Sequence, residues 1–399
     1  MKNVGIYISG LGQSFHKEHV LKYAERFKNE LLYSEIGTLY DLKSEIISYS
    51  GKNTAKVVRV VKQGQESDEV VYTFYEFEYH QLLTERFKKR NILLKNLLLF
   101  WLVLKKLPQL LKRVFFHDHY SRPYLTFYAF SILVLVSLAV LFLIPASIDM
   151  VHDFQAAKKV LAFIESSTGT LPEYIKQAYK WTVPLTTFVL LVIPESKTIV
   201  TSLATEFACA DQYLNDGIQS QLISGNLDLL VEYISEHEPE SKIHFHCYSF
   251  GCLIATDYLF PLGTMPSKNA KLLTEVLITI GNPYEFINSY YCHYFKNRNL
   301  VMENKIQWLN VYSLSDALSS NFRNDSTRGE ALNGIRDSSL KPINLNYEIS
   351  TDKNQHFFNF ITMDGIRMHR LYWDTETNGQ SCLRVLFEKM GELEIIKLK

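Results

Sequence analysis

The chain has 399 residues, 47% of them hydrophobic, with 42 basic side chains set against 42 acidic ones. That apolar content excludes a largely disordered chain, and the length suffices for one large α/β domain or two smaller ones. Zero formal charge gives no overall attraction to nucleic acid, so no nucleic-acid partner is expected. Cys209, Cys247, Cys252, Cys292 and Cys382 form no CxxC pair and no zinc-ligand spacing, so they fit a reducing compartment rather than a disulfide scaffold.

In chain order, residues 3–8 (NVGIYI) read as a short buried strand ended by the turn Ser9-Gly10-Leu11-Gly12, and His16–Leu32 has helical spacing. Ala55–Val61 and Val70–Tyr79 are rich in β-formers and predict two strands. Pro123–Ile148 then contains no Asp, Glu, Lys or Arg. Within it, 125–144 (LTFYAFSILVLVSLAVLFLI) is long enough for a helix of about 30 Å, the thickness of a hydrocarbon core. It begins too far along the chain for a signal peptide, so it predicts a transmembrane helix. Residues 91–104, bracketed by Arg86, Lys88, Lys89, Arg90, Lys105, Lys106, Lys112 and Arg113, suit a basic helix in the headgroup region with its cationic side chains reaching anionic lipid. Residues 181–194 form a shorter apolar run.

If the strands on both sides of 86–199 share one sheet, the chain crosses the bilayer an even number of times between them. The long apolar helix therefore needs a partner, either 91–111 or 181–200. The Lys/Arg excess between Arg86 and Arg122 puts that stretch on the cytoplasmic side and favours the later partner. The expected organisation is a core formed by 1–85 and 201–399, interrupted by a membrane insertion at 86–200.

After the insertion, Ile218–Ile234 reads as an amphipathic helix, followed by strands at Lys242–His246, Leu272–Ile280 and Gln307–Tyr312. Short apolar strands alternating with helices predict an α/β fold with a mostly parallel sheet.

The chemistry concentrates at Cys247-Tyr248-Ser249-Phe250-Gly251, between a predicted strand and a helical run. A serine at such a turn is held in strained backbone geometry with its hydroxyl above the sheet edge, and the amide of the next residue, Phe250, points to where an oxyanion forms. The nucleophile needs a base and an orienting acid. Asp316 lies just beyond the strand ending at Tyr312, where catalytic groups of open sheets gather, although the same residue also suits a helix N-cap. His369 and His356 are the candidate bases, with His369 favoured. Gly10 and Gly12 allow close backbone approach, nominating Leu11 as a second oxyanion donor. The loop lacks both Gly-Lys-Ser/Thr and a full GxGxxG, so no phosphate-binding cofactor is expected. His244 and His246, and likewise His117 and His119, have no completing carboxylate or cysteine, so no metal site is expected either.

Taken together, Ser9-Gly10-Leu11-Gly12, Cys247-Tyr248-Ser249-Phe250-Gly251, Gly281-Asn282-Pro283, Asp316 and His369 resemble the α/β-hydrolase superfamily, particularly its lipase-like members. Tyr75-Glu76-Phe77-Glu78-Tyr79, Phe100-Trp101 with Lys105-Lys106, the insertion, and His369 with Tyr372-Trp373 resemble features of bacterial membrane-associated serine hydrolases. Cys247 departs from the elbow's usual first glycine, and Ser9 stands where many lipases carry His. The resemblance implies an ester hydrolase at the bacterial inner membrane with its core in the cytoplasm. Ser249, His369 and Asp316 would react, the amides of Leu11 and Phe250 would hold the oxyanion, and membrane lipids or lysolipids, or a small ester, would be the substrate. The competing expectation is a degenerate hydrolase fold serving as a membrane-bound scaffold or signalling module.

Overall fold

The computed structural model describes residues 3–11, 19–35, 37–64, 67–83, 101, 104–108, 111, 209–215, 217–316, 318–323, 325, 327–348, 369 and 371–396. The predicted spans at 125–144 and 181–200 lie outside these residues, as do His356, His117 and His119. Among the described residues, no helix is long and apolar enough to cross a membrane.

The protein is α/β. Strand β1 (Asn3–Ile8) leads to helix α1 (Val20–Ser34), then β2 (Tyr40–Ser50), β3 (Asn53–Lys62) and β4 (Glu69–Glu76). Further along the chain come α2 (Gly217–His237), β5 (Lys242–Tyr248), α3 (Phe250–Leu259), α4 (Lys268–Leu273), β6 (Thr274–Ile280), α5 (Tyr284–Tyr290), β7 (Gln307–Tyr312), β8 (Ile343–Asn346) and α6 (Leu383–Glu392). All eight strands form one sheet in the order β2-β3-β4-β1-β5-β6-β7-β8. The β2–β3 and β3–β4 pairs are antiparallel and the others parallel. The strands from the first 76 residues and those from Lys242 onward meet at β1–β5, where Ile8 pairs with Cys247.

Strand periodicity explains the layers. Val4, Ile6 and Ile8 of β1 and Ile243, Phe245 and Cys247 of β5 point into one apolar cluster, beneath α2 and α3. Tyr7 points into the other, with Val20, Phe27, Leu386 and Phe387 of α1 and α6. Successive side chains of a strand leave on opposite faces, so a strand buried on both reads as an almost continuous apolar run. At Gly5 a Cβ would lie 2.7 Å from the Phe74 ring, so two aromatic residues of β4 fill the space above that glycine.

Three details depart from the sequence reading. Strand β2 was not expected, because YDLKSEIISYS lacks alternation; it is a largely exposed edge strand held by its antiparallel hairpin with β3. The run starting at Leu272 is divided, with α4 reaching Leu273 and the strand beginning at Thr274. Lys106 does not face outward. Its Nζ donates to the Tyr290 carbonyl at 3.3 Å and lies 3.6 Å from the Tyr291 ring centroid, whereas Trp101, Leu104 and Leu111 are exposed. A cation with an aromatic face and a carbonyl acceptor within reach can be buried at lower cost than an unpaired one.

Candidate active site

The strands first added in the chain lie on one side of β1 and the later ones on the other. The crevice beyond the carboxyl ends of β1 and β5 is therefore a topological switch point, the usual position of sites in open α/β sheets. Ser9 to Leu11 leave β1 there, and Ser249 leaves β5.

Ser249 has φ 52° and ψ −122°, a left-handed conformation that costs a non-glycine residue about 1–3 kcal/mol. Its amide donates to the Ile280 carbonyl at 2.9 Å and its carbonyl accepts from Cys252 at 3.0 Å, so the reversal between β5 and α3 is fixed from both ends. Space around it is tight. A Cβ on Gly251 would lie 2.3 Å from the Ile8 carbonyl oxygen, and one on Gly10 would lie 2.8 Å from Ser249 Cβ. Cys247, at the other small position of the elbow, is fully buried in the cluster beneath α3, and burial pushes its thiol well above the ordinary range. All five cysteines are free.

His369 Nε2 and Ser249 Oγ are 2.7 Å apart, and His369 Nδ1 and Asp316 Oδ2 are 2.8 Å apart. Of the two candidate bases, His369 thus reaches both partners; the structure does not describe His356. Asp316 is fully buried beyond β7, and it uses its two oxygens differently. Oδ1 accepts from the Leu318 amide at 2.9 Å, an Asx-type turn contact rather than a helix cap, since the described residues immediately following Asp316 form no helix. Oδ2 accepts from His369 and also from the Tyr372 hydroxyl at 2.8 Å. Burial, then the neighbouring Asp316 charge, raises the Tyr372 phenol well above its ordinary pKa, so this hydroxyl acts as a donor.

The imidazole is supported from below as well. Tyr248 donates to the His369 carbonyl at 2.6 Å and its ring stacks on the imidazole at 5.6 Å between centroids. Gly281 has φ 59°, and a Cβ there would lie 2.9 Å from Tyr372 Cε2 and 3.1 Å from His369 Cε1. The following Asn282 accepts from the Ser320 amide through its carbonyl at 2.8 Å, tying this turn to the loop that carries Asp316. Glu348 closes that loop's outer side, accepting from Ser313 Oγ at 2.9 Å and Ser315 Oγ at 3.2 Å.

Phe250 is the first residue of α3, where a helix amide has no intrahelical acceptor, and Leu11 stands in the turn after β1. The sequence reading named Tyr248, Gly281 and Tyr372 only within motifs and assigned them no role at the site. A tyrosine inside the elbow and another three residues after His369 were visible, but only the fold brings them onto one imidazole.

His244 and His246 point away from the site into the opposite layer. Tyr72 bonds His244 Nδ1 at 2.7 Å and His246 Nε2 at 2.8 Å, and Tyr23 bonds His246 Nδ1 at 2.8 Å. Burial, and after it His244, holds the His246 pKa well below the ordinary value, so it is neutral there. Among the described residues, no group of three His, Cys, Asp or Glu could hold a metal ion.

No family model, curated protein or solved structure matches the chain.

Proposed function

We propose that the protein is a membrane-associated serine ester hydrolase of α/β-hydrolase type. The observation that carries the reading is the continuous line from Ser249 Oγ through His369 to Asp316, with steps of 2.7 and 2.8 Å, built on a serine in left-handed geometry. A merely structural serine has no need of backbone strain, and strain of this kind concentrates at functional sites.

In the reaction, His369 Nε2 accepts the Ser249 proton as Oγ attacks the ester carbonyl. The amides of Leu11 and Phe250 donate to the oxyanion that develops. Asp316, accepting from Nδ1–H, fixes the tautomer that leaves Nε2 free as the base and stabilises the imidazolium formed. His369 then passes the proton to the departing alcohol oxygen, leaving an acyl-serine. Water attacks this in turn, His369 taking its proton, and the acid leaves as Ser249 is regenerated.

The charge-free run at 125–144 and the basic stretch before it favour a lipid or lysolipid ester held at a membrane over a freely diffusing one. The test is labelling of the purified full chain with a fluorophosphonate, alongside hydrolysis of short nitrophenyl esters and of lysolipid in vesicles. Rapid labelling lost in Ser249→Ala supports the reading. Unlabelled protein without esterase activity would favour the scaffold alternative.

A further inference from the structure

We infer that Tyr79, His80 and Ser9 form a clamp that sets the direction of the oxyanion-binding turn, making Ser9 and Tyr79 positioning residues for the reaction proposed above, on which this inference rests. Leu11 follows Gly10 and precedes Gly12 in the sequence, so its own neighbours leave the backbone wide conformational freedom. An oxyanion donor is effective only when its direction is set before charge develops. The rigidity must come from elsewhere, and Ser9 is where it enters.

Ser9 is gripped at its carbonyl and its hydroxyl by consecutive residues beyond β4. The Tyr79 hydroxyl donates to the Ser9 carbonyl at 2.9 Å, and Ser9 Oγ lies 3.3 Å from His80 Nε2. The two gripping rings stack on each other with centroids 4.7 Å apart, and Tyr79 also stacks on Phe250 at 6.3 Å with 29° between the ring planes. Tyr79 thereby touches both sides of the proposed oxyanion site, the Ser9 turn by a hydrogen bond and the Phe250 position by its ring. The Phe77 amide donates to the Tyr7 carbonyl at 3.0 Å, which extends the β4–β1 pairing up to the clamp. Ser9 is 5% exposed and Tyr79 is fully buried, so neither offers a surface to substrate. They act through the peptide that ends at the Leu11 amide, while Gly10 keeps that peptide against Ser249 Cβ.

The test compares Tyr79→Phe, which keeps the ring stack, with Ser9→Ala, Ser9→Thr and Ser249→Ala in the full chain, following kcat, KM and inhibition by a trifluoromethyl ketone whose adduct carries an oxyanion. In Tyr79→Phe and Ser9→Ala we expect kcat to fall about 10- to 100-fold with KM within about twofold of wild type, short of the loss of a donor itself. Ketone affinity should fall in parallel, and Ser9→Thr, which keeps a hydroxyl, should recover most of the loss. Unchanged kcat and ketone affinity in both Tyr79→Phe and Ser9→Ala would overturn the clamp, as would a loss confined to KM. Ser249→Ala identifies where a failure lies. If it abolishes turnover while the clamp variants are normal, the clamp alone is wrong. If it remains as active as wild type, the serine mechanism falls and the clamp with it.

Discussion

Replacing Gly281 by alanine tests the proposed active site at a position that makes no hydrogen bond to a reacting group. The new Cβ would lie 2.9 Å from Tyr372 Cε2 and 3.1 Å from His369 Cε1, at a backbone φ of 59°. Carbon atoms rest at about 3.5–4.0 Å, so the two rings must retreat by roughly half an ångström or more. Both rings bond Asp316 Oδ2, and His369 also spans the 2.7 Å step to Ser249, so the displacement falls directly on the proton path. A 1 Å misplacement costs about 100-fold in rate, so half of that displacement costs on the order of 10-fold, or about 1.4 kcal/mol of barrier. The left-handed conformation adds about 1–2 kcal/mol of folding stability lost for a residue bearing a Cβ. The assay is the second-order rate of fluorophosphonate labelling together with a thermal melt. We expect labelling slowed about 10-fold in a protein that still melts cooperatively, a few degrees below wild type. Labelling at the wild-type rate would refute the geometry, because the base could not then stand where the added methyl group must go.

Other changes probe the electrostatics and the stored strain. Tyr372→Phe removes a donor to the carboxylate that also serves His369, leaving more of its charge to stabilise the imidazolium. The variant should lose about 1.5–3 kcal/mol of stability in urea unfolding, and unchanged stability would contradict shared use of Oδ2. Burial raises the Glu76 carboxyl to about 7, its bond from the Val20 amide opposing the rise. Because the folded pKa exceeds the unfolded one, the folded state holds the extra proton, and this stability is complete below about 4.5 and lost as pH rises through about 7. Glu76→Gln should flatten the stability profile across that window, by up to about 3 kcal/mol, as measured by urea unfolding at several pH values. An unchanged slope would remove Glu76 as its source. Ser249→Gly relieves the strained φ of 52° and should stabilise the fold by about 1–2 kcal/mol while abolishing labelling; a less stable variant would contradict the strain argument.

Much of the architecture was legible because local patterns and tertiary burial agree. NVGIYI and KIHFH read as strands because nearly every side chain is buried on one face or the other, the second running on to Tyr248 in the structure, and Gln307–Tyr312 has the same limits in sequence and structure. The sharp turn at Ser249 was legible because a strand must reverse there into a helix, and Gly251 is the residue whose lack of a side chain admits the Ile8 carbonyl. Strand β2 was illegible for the opposite reason: an exposed edge needs no alternation when a neighbouring strand supplies the hydrogen bonds. Lys106 was misread because charge in a sequence does not say which way a helix is turned; the Tyr290 carbonyl and Tyr291 ring decide that.

The candidate site divides along the same line. By itself the sequence determined which atoms could do the chemistry, since only certain side chains can attack, accept a proton or orient an imidazole, and the strand endings bring such groups to one sheet edge. The tertiary structure alone decided that His369 stands 120 residues from Ser249 yet 2.7 Å away, that Tyr372 shares its carboxylate oxygen, and that Gly281 leaves the room both rings occupy. Such distances depend on how separate strands register across a sheet. That register is a collective result of packing both faces at once, and no local stretch of residues encodes it.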